Sequence, residues 1–150
     1  SCLAEEKKRM YQYYRTVQYH ETDKMGITHH ANYIKWMEEA RISFLESIGL
    51  PFRQIEEEGI VSPVAGLSIE YKSPCTFGDE IVIEATIAGY TGVRLEVRYV
   101  MKNHSTSVVV ATAVSRHCFM KEGRICSLKK ENIPFHEALG RATETDCPQS

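Results

Sequence analysis

No Cys-x-x-Cys pair occurs in this chain, although it has five cysteines: Cys2, Cys75, Cys118, Cys126 and Cys147. An odd number without paired spacing argues against a disulfide framework, and for free thiols in a reducing cytoplasm. Cys118 alternates into an apolar strand pattern and is read as a buried, inert thiol. Long apolar runs are missing too. The strongest, 108–114, is interrupted by Thr112 and falls far short of a bilayer span. The first residues carry Glu5, Glu6, Lys7, Lys8 and Arg9 where a signal peptide needs an apolar stretch. Charge of one sign is also lacking: 18 basic against 20 acidic residues, net -2, is not the basic footprint of a nucleic-acid binder. There is no Walker lysine loop, no Gly-x-Gly-x-x-Gly and no Gly-x-Ser-x-Gly elbow, which removes support for ATP, NAD and α/β-hydrolase chemistry. The expectation is a cytoplasmic protein with no membrane, nucleic-acid, metal or cofactor partner.

What is present fits one domain: 150 residues, 43% hydrophobic. Alternation predicts a first strand over 14–20, with Arg15, Val17 and Tyr19 on one side. A helix is predicted over 30–48, where Tyr33, Met37, Ala40, Phe44 and Ile48 recur at helical spacing. Gly49 and Pro51 end it. Its length, about 28 Å, crosses a small sheet. A short helix over 52–58 follows, closed by Gly59. Strand patterns then succeed one another to Met120, separated by turns at Gly78-Asp79, Gly89 to Gly92, Asn103 to Ser105 and Glu122-Gly123. The more continuously apolar 108–119 reads as a central strand covered on both faces. A short helix over 133–141 and a frayed tail complete the chain. The division drawn is an extension over 1–13, a domain over 14–141 and a tail over 142–150. This is an α+β pattern: an antiparallel sheet of about five strands wrapped around one long helix. The other sheet face then needs a second copy of the chain to cover it, so a homodimer or homotetramer is expected.

The most informative stretch is 19–33, which runs from the first strand through a short loop into the long helix. Asp23 sits in the loop, and the helix start follows within one loop-length. Free N–H groups at a helix start hold a developing oxyanion, and a carboxylate serves as nucleophile or general base. Such a pair suits attack on an acyl carbonyl. The competing reading of Asp23 is a loop aspartate that only caps its own turn. His30 is either chemically active through its ring or merely the residue whose backbone N–H matters. His20, His29 and His30 are not read as a metal site, because adjacent helix-start histidines diverge and no partner has ligand spacing.

Asp23-x-x-Gly26-x-x-x-His30-x-Asn32-Tyr33, then Glu39-Ala40-Arg41, resembles the 4-hydroxybenzoyl-CoA thioesterase-like branch of the hotdog-fold family. Ser73-Pro74-Cys75-x-x-Gly78-Asp79 is a second matching piece. The resemblance implies a hotdog fold and hydrolysis of acyl-CoA thioesters without metal or cofactor. It also implies active sites between protomers, with Asp23 as catalytic carboxylate and His30 at the oxyanion hole. Gly26, Ala31, Tyr33 and Lys72 are the accompanying substrate-binding candidates, and Lys72, Arg94, Arg98, Lys121 and Arg124 are candidates to meet the CoA phosphates. Glu39 and Arg41 are expected to hold the helix rather than react. The rivals are an acyl-carrier-protein thioesterase and a non-catalytic acyl-CoA-binding regulator. A dehydratase of the same fold is disfavoured, since the motif is led by Asp rather than His.

Overall fold

The computed structural model describes residues 10–143. Cys2, Cys147, most of the N-terminal extension and the tail beyond 143 lie outside the described residues. Five strands build the main sheet: β1 (Tyr11–Thr16), β3 (Val64–Tyr71), β4 (Glu80–Tyr90), β5 (Arg94–Asn103) and β6 (Val109–Cys118). Their order is β1-β4-β5-β6-β3, and every neighbouring pair is antiparallel. Three short strands, β2 (Ile60–Val61), β7 (Met120–Lys121) and β8 (Arg124–Ile125), make a second, smaller sheet.

The long helix α1 (Ala31–Ser47) packs on one face of the sheet, against β1 and β4. Its spacing buries Tyr33, Trp36, Met37, Ala40, Phe44 and Leu45. Across from them stand Ile81, Ile83, Ala85, Leu95, Val97 and Met101, one face of β4 and β5. At roughly 1.5–3 kcal/mol per large side chain, this single contact layer is the main stabilising term. Gly49 takes a positive φ of 85° and stops the helix, as its position requires. Helix α2 (Phe52–Glu57) follows, and α3 (Leu128–Glu131) and α4 (Ile133–Thr143) close the chain.

Two sequence expectations shift. The first strand lies at Tyr11–Thr16, not 14–20, so residue 14 falls inside it. Beyond Thr16 the chain turns: Tyr19–Glu21 is one 3-10 turn, with Val17 buried, Glu21 buried and Tyr19 exposed. The alternation of Arg15, Val17 and Tyr19 therefore spans a strand end and a turn. The apolar strand β6 is not central; it lies between β5 and the edge strand β3, and β5 holds the middle. Its apolar run reflects the half-buried Val109 and Val114 on the outer face.

The core also contains a polar chain. The Tyr99 hydroxyl and Ser115 Oγ are 2.8 Å apart, and Ser115 Oγ is 2.8 Å from His117 Nε2. Burial, with Arg41 nearby, pushes His117 down to about 4, and the main chain of Ser62 and Pro63 offsets this only in part. A histidine held neutral binds fewer protons folded than unfolded between its two pKa values. Stability from this residue is therefore full above about 6.5 and is lost as pH falls toward about 4. The loss amounts to about 3 kcal/mol at most. Urea unfolding across that window is expected to show a steeper fall in wild type than in His117→Gln; equal slopes would refute the assignment.

Candidate active site

One buried carboxylate organises the loop between β1 and α1. Glu21 is fully buried. It accepts hydrogen bonds from Arg15 Nη2 at 2.8 Å, the Gln18 N–H at 2.8 Å and Trp36 Nε1 at 2.9 Å. Arg15 also donates from Nε to Glu39 at 2.9 Å, and the Tyr13 hydroxyl donates to the same oxygen at 3.0 Å. The Glu21 carbonyl accepts from the His29 N–H at 2.8 Å and from Asn32 Nδ2 at 3.0 Å. Strand, loop and helix start are thus tied to one residue. Sequence reasoning passed over Glu21, because an acidic residue in a polar loop gives no sign of being buried.

Asp23 follows two residues later on the surface. Its Oδ1 accepts from the Met25 N–H at 2.8 Å and the Ile27 N–H at 3.2 Å. Its own N–H donates to the Ile27 carbonyl at 2.8 Å, closing a tight loop with Gly26 at φ 79°. An L side chain is strained at that φ, so glycine belongs there. The capping reading of Asp23 is therefore true of Oδ1. Oδ2 has no hydrogen-bond partner among the described residues.

The Cys75-to-Asp79 segment braces this loop from behind. Thr28 donates to the Cys75 carbonyl from both its N–H and its hydroxyl, each at 2.9 Å. Gly78 donates to the Val17 carbonyl at 3.0 Å, and the Val17 N–H donates to the Asp79 carbonyl at 2.9 Å.

At the helix start the candidates separate. The Ala31 N–H donates to His29 Nδ1 at 3.2 Å. Asn32 and Tyr33 donate to the carbonyls of His29 and His30. The His30 N–H has no partner among the described residues. The His30 ring stacks on Tyr71 of β3, with centroids 4.1 Å apart and planes at 14°. Tyr33 is buried, with its hydroxyl 3.3 Å from Cys75 Sγ. Burial, with Cys75 alongside, pushes the Tyr33 phenol well above its usual range. It is a core residue in this chain rather than one open to substrate. Lys72 is exposed and paired with Glu70 at 2.9 Å, and Lys121 with Glu131 at 3.2 Å. Among the described residues no group of three or more His, Cys, Asp or Glu side chains is placed to hold a metal ion. None of their helices is long and apolar enough to cross a membrane.

The profile of the thioesterase-like superfamily matches residues 17–142. The chain belongs to that superfamily. It is a thioester hydrolase with the hotdog fold, as its first resemblance implied. Its similarity to the putative acyl-CoA thioesterase YneP of Bacillus subtilis is 35% identity over 84% of this chain and 92% of the relative. The DHNA-CoA thioesterase of Staphylococcus aureus superposes with a TM-score of 0.85 at 25% identity, covering 88% of this chain and 89% of that one. A hypothetical protein of Thermus thermophilus superposes at 0.81 with 29% identity, over 87% and 98%.

The Glu21 network carries a stability prediction. Removing one partner of a buried charge cluster costs on the order of 3–5 kcal/mol, because Arg15 and Trp36 are left without their acceptor. Glu21→Ala is expected to lose that much in urea unfolding followed by Trp36 emission, the single tryptophan. Glu39→Ala, at a half-exposed partner, is expected to lose about 1 kcal/mol or less.

Proposed function

We propose that this protein hydrolyses acyl-CoA thioesters to the free acid and CoA, with Asp23 as the reacting carboxylate and the His30 N–H as oxyanion donor. One observation carries this reading. The loop acid whose Oδ2 has no partner among the described residues lies seven residues before a helix start whose first N–H also has none, and both belong to one braced unit. A thioester carbonyl is already electrophilic and a thiolate leaves readily, so one carboxylate and an oxyanion donor suffice. Asp23 Oδ2 either attacks the carbonyl carbon directly or takes a proton from an attacking water. In both cases negative charge grows on the carbonyl oxygen, at the positive end of the α1 dipole. Two observations narrow the candidate set. Ala31 spends its N–H on His29, which leaves His30 as the donor, and Lys72 on the surface is paired with Glu70. The names of YneP and of the DHNA-CoA thioesterase support CoA as the carrier over acyl carrier protein.

Asp23→Asn keeps the two turn hydrogen bonds within reach and removes the charge. It is expected to lower kcat on the best acyl-CoA by on the order of a thousandfold with unchanged unfolding. His30→Tyr keeps the backbone N–H and is expected to retain far more activity. Equal inactivity of both folded variants would move the chemistry to the imidazole ring.

We further propose a homodimer, or a dimer of dimers, joined along β3. This strand is an edge of the sheet, and Val64, Leu67 and Tyr71 on it are exposed, as is Ile34 on the adjacent helix. An exposed apolar edge invites pairing with a like edge across a two-fold axis. Light scattering at micromolar concentration is expected to give at least twice 17.1 kDa; a monomer mass refutes this.

A further inference from the structure

Three buried side-chain polar atoms lack a hydrogen-bond partner among the described residues: Arg41 Nη1, Ser62 Oγ and His117 Nδ1. They gather at one place. Arg41 and His117 both line a small cavity, of about 50 Å³, between α1 and the β3–β6 side of the sheet. Arg41 and the Ser62 main chain both act on the His117 ring. Tyr99 and Ser115 complete the polar wall, and Ile34 and Leu67 form the apolar one.

Buried polar atoms in folded proteins are nearly all satisfied, so the unpaired Arg41 Nη1 beside this cavity points to an occupant. The charge of the site says what kind. Arg41 is 4% exposed, and no carboxylate lies within ion-pair distance of it among the described residues. Its guanidinium lies over the Phe52 ring at 5.3 Å. Glu38 lines the solvent edge of the cavity without reaching it. Burial lowers the Arg41 pKa, but a guanidinium stays protonated. His117, held down to about 4, is neutral at pH 7. The cavity therefore has a buried positive charge that Glu38 offsets only from beyond ion-pair distance. A carboxylate group supplies the missing negative charge and the acceptor lone pairs. The cavity has room for so small a group, since about 10–15 Å³ of such volume already holds one water.

The cavity lies along the same helix face as the proposed oxyanion donor. His30, Ile34, Met37 and Arg41 follow at intervals of three and four, and so share one side of α1. The facing wall is β3, where Tyr71 stacks on His30 at one end and Leu67 and Val64 border the cavity at the other. From His30 to Arg41 the helix rises about 16 Å, and the arginine side chain leans back toward the N-terminus to shorten the gap. Ile34 and Met37 of α1 and Val64 and Leu67 of β3, all apolar, line the cavity between the two elements.

We propose that this cavity receives a carboxylate at the far end of the substrate's acyl group, so that the favoured substrates are CoA thioesters of dicarboxylic acids. The inference rests on the acyl-CoA reading above and adds the substrate class. The test compares acyl-CoAs of equal carbon number by thiol release: hexanoyl with adipoyl, octanoyl with suberoyl, decanoyl with sebacoyl. In at least one pair kcat/KM is expected to be higher for the dicarboxylic member by on the order of tenfold to a hundredfold, the range of a charge-assisted hydrogen bond. Arg41→Met is expected to bring that ratio to about one, and Arg41→Lys to keep part of it. The ratio is taken within one variant, so a general loss of activity does not mimic the effect. If Arg41→Met does not fold, suberate and octanoate as competing inhibitors of the wild type give the same readout, with suberate expected to bind more tightly. Hydrolysis of methyl-ended substrates at equal or higher efficiency at every length overturns this proposal and leaves the acyl-CoA reading standing. No hydrolysis of any acyl-CoA overturns both.

Discussion

A charge taken out of water must be paired or it destabilises the fold by several kcal/mol. Glu21 satisfies that condition with donors from three elements: Arg15 of β1, the Gln18 main chain of the 3-10 turn and Trp36 of α1. No two of those elements can move independently without exposing an unpaired charge. The angle between strand and helix, and the path of the loop joining them, are set there. Asp23 and His30 are both within nine residues of Glu21, and their separation depends on this anchor. Arg15 extends the constraint to Glu39, one helical turn beyond Trp36, so that the first half of α1 is fixed in rotation as well as in position.

The loop reconciles two readings of Asp23 that compete at the level of sequence. A carboxylate has two oxygens, and here they are divided. Oδ1 organises its own turn through the Met25 and Ile27 N–H groups. That leaves Oδ2 held in place by a rigid frame, which is what a reacting group needs. A loop acid with both oxygens in the turn would be structural only, and one with neither would be unpositioned. The same economy appears at the helix start. Three of the first N–H groups find local acceptors, and the one that does not, at His30, lies where the helix dipole is strongest.

Much of this fold was legible because periodic burial writes itself into sequence. The spacing of Tyr33, Met37, Ala40 and Phe44, with Gly49 after them, defined α1 to within a residue at each end. The antiparallel strands and the turns at Gly78, Gly92 and Gly123 followed the same logic, with each of those glycines at positive φ. What failed depended on contacts between distant segments. The alternation over 14–20 predicts the first strand too late, because Val17 is buried by the Asp79 turn and not by strand pairing. The apolar content of β6 predicts a central place, because a strand's sequence does not carry the identity of its neighbours. At the site, Asp23, Gly26 and His30 stand together on one loop. Tyr33 turned inward to Cys75, a residue on a different segment that no spacing rule connects to it. The burial of Glu21 was invisible for the same reason: its partners span 15 to 36 in the chain.

The two buried charges on α1's side of the molecule make a physical contrast. Glu21 is surrounded by donors and contributes to the fold. Arg41 is buried on the same helix as Trp36, yet its Nη1 is unsatisfied and its charge unmatched. The Phe52 ring under the guanidinium offsets part of the desolvation cost, whereas a methionine of similar length would fill that space without incurring it. Strain and unsatisfied polar groups persist where function requires them and are offset elsewhere. The Glu21 network and the α1–sheet core provide that offset. The polar chain from Tyr99 through Ser115 to His117 then acts as a fixed backing that keeps the arginine's surroundings from collapsing into an apolar contact. A site of this kind discriminates by leaving a donor unpaired when the wrong group enters, a larger penalty than any apolar wall imposes for a missing methylene. In the reading proposed above, selectivity at the far end of the acyl group and catalysis at its near end fall on one helix, whose rotation is set by a single buried glutamate.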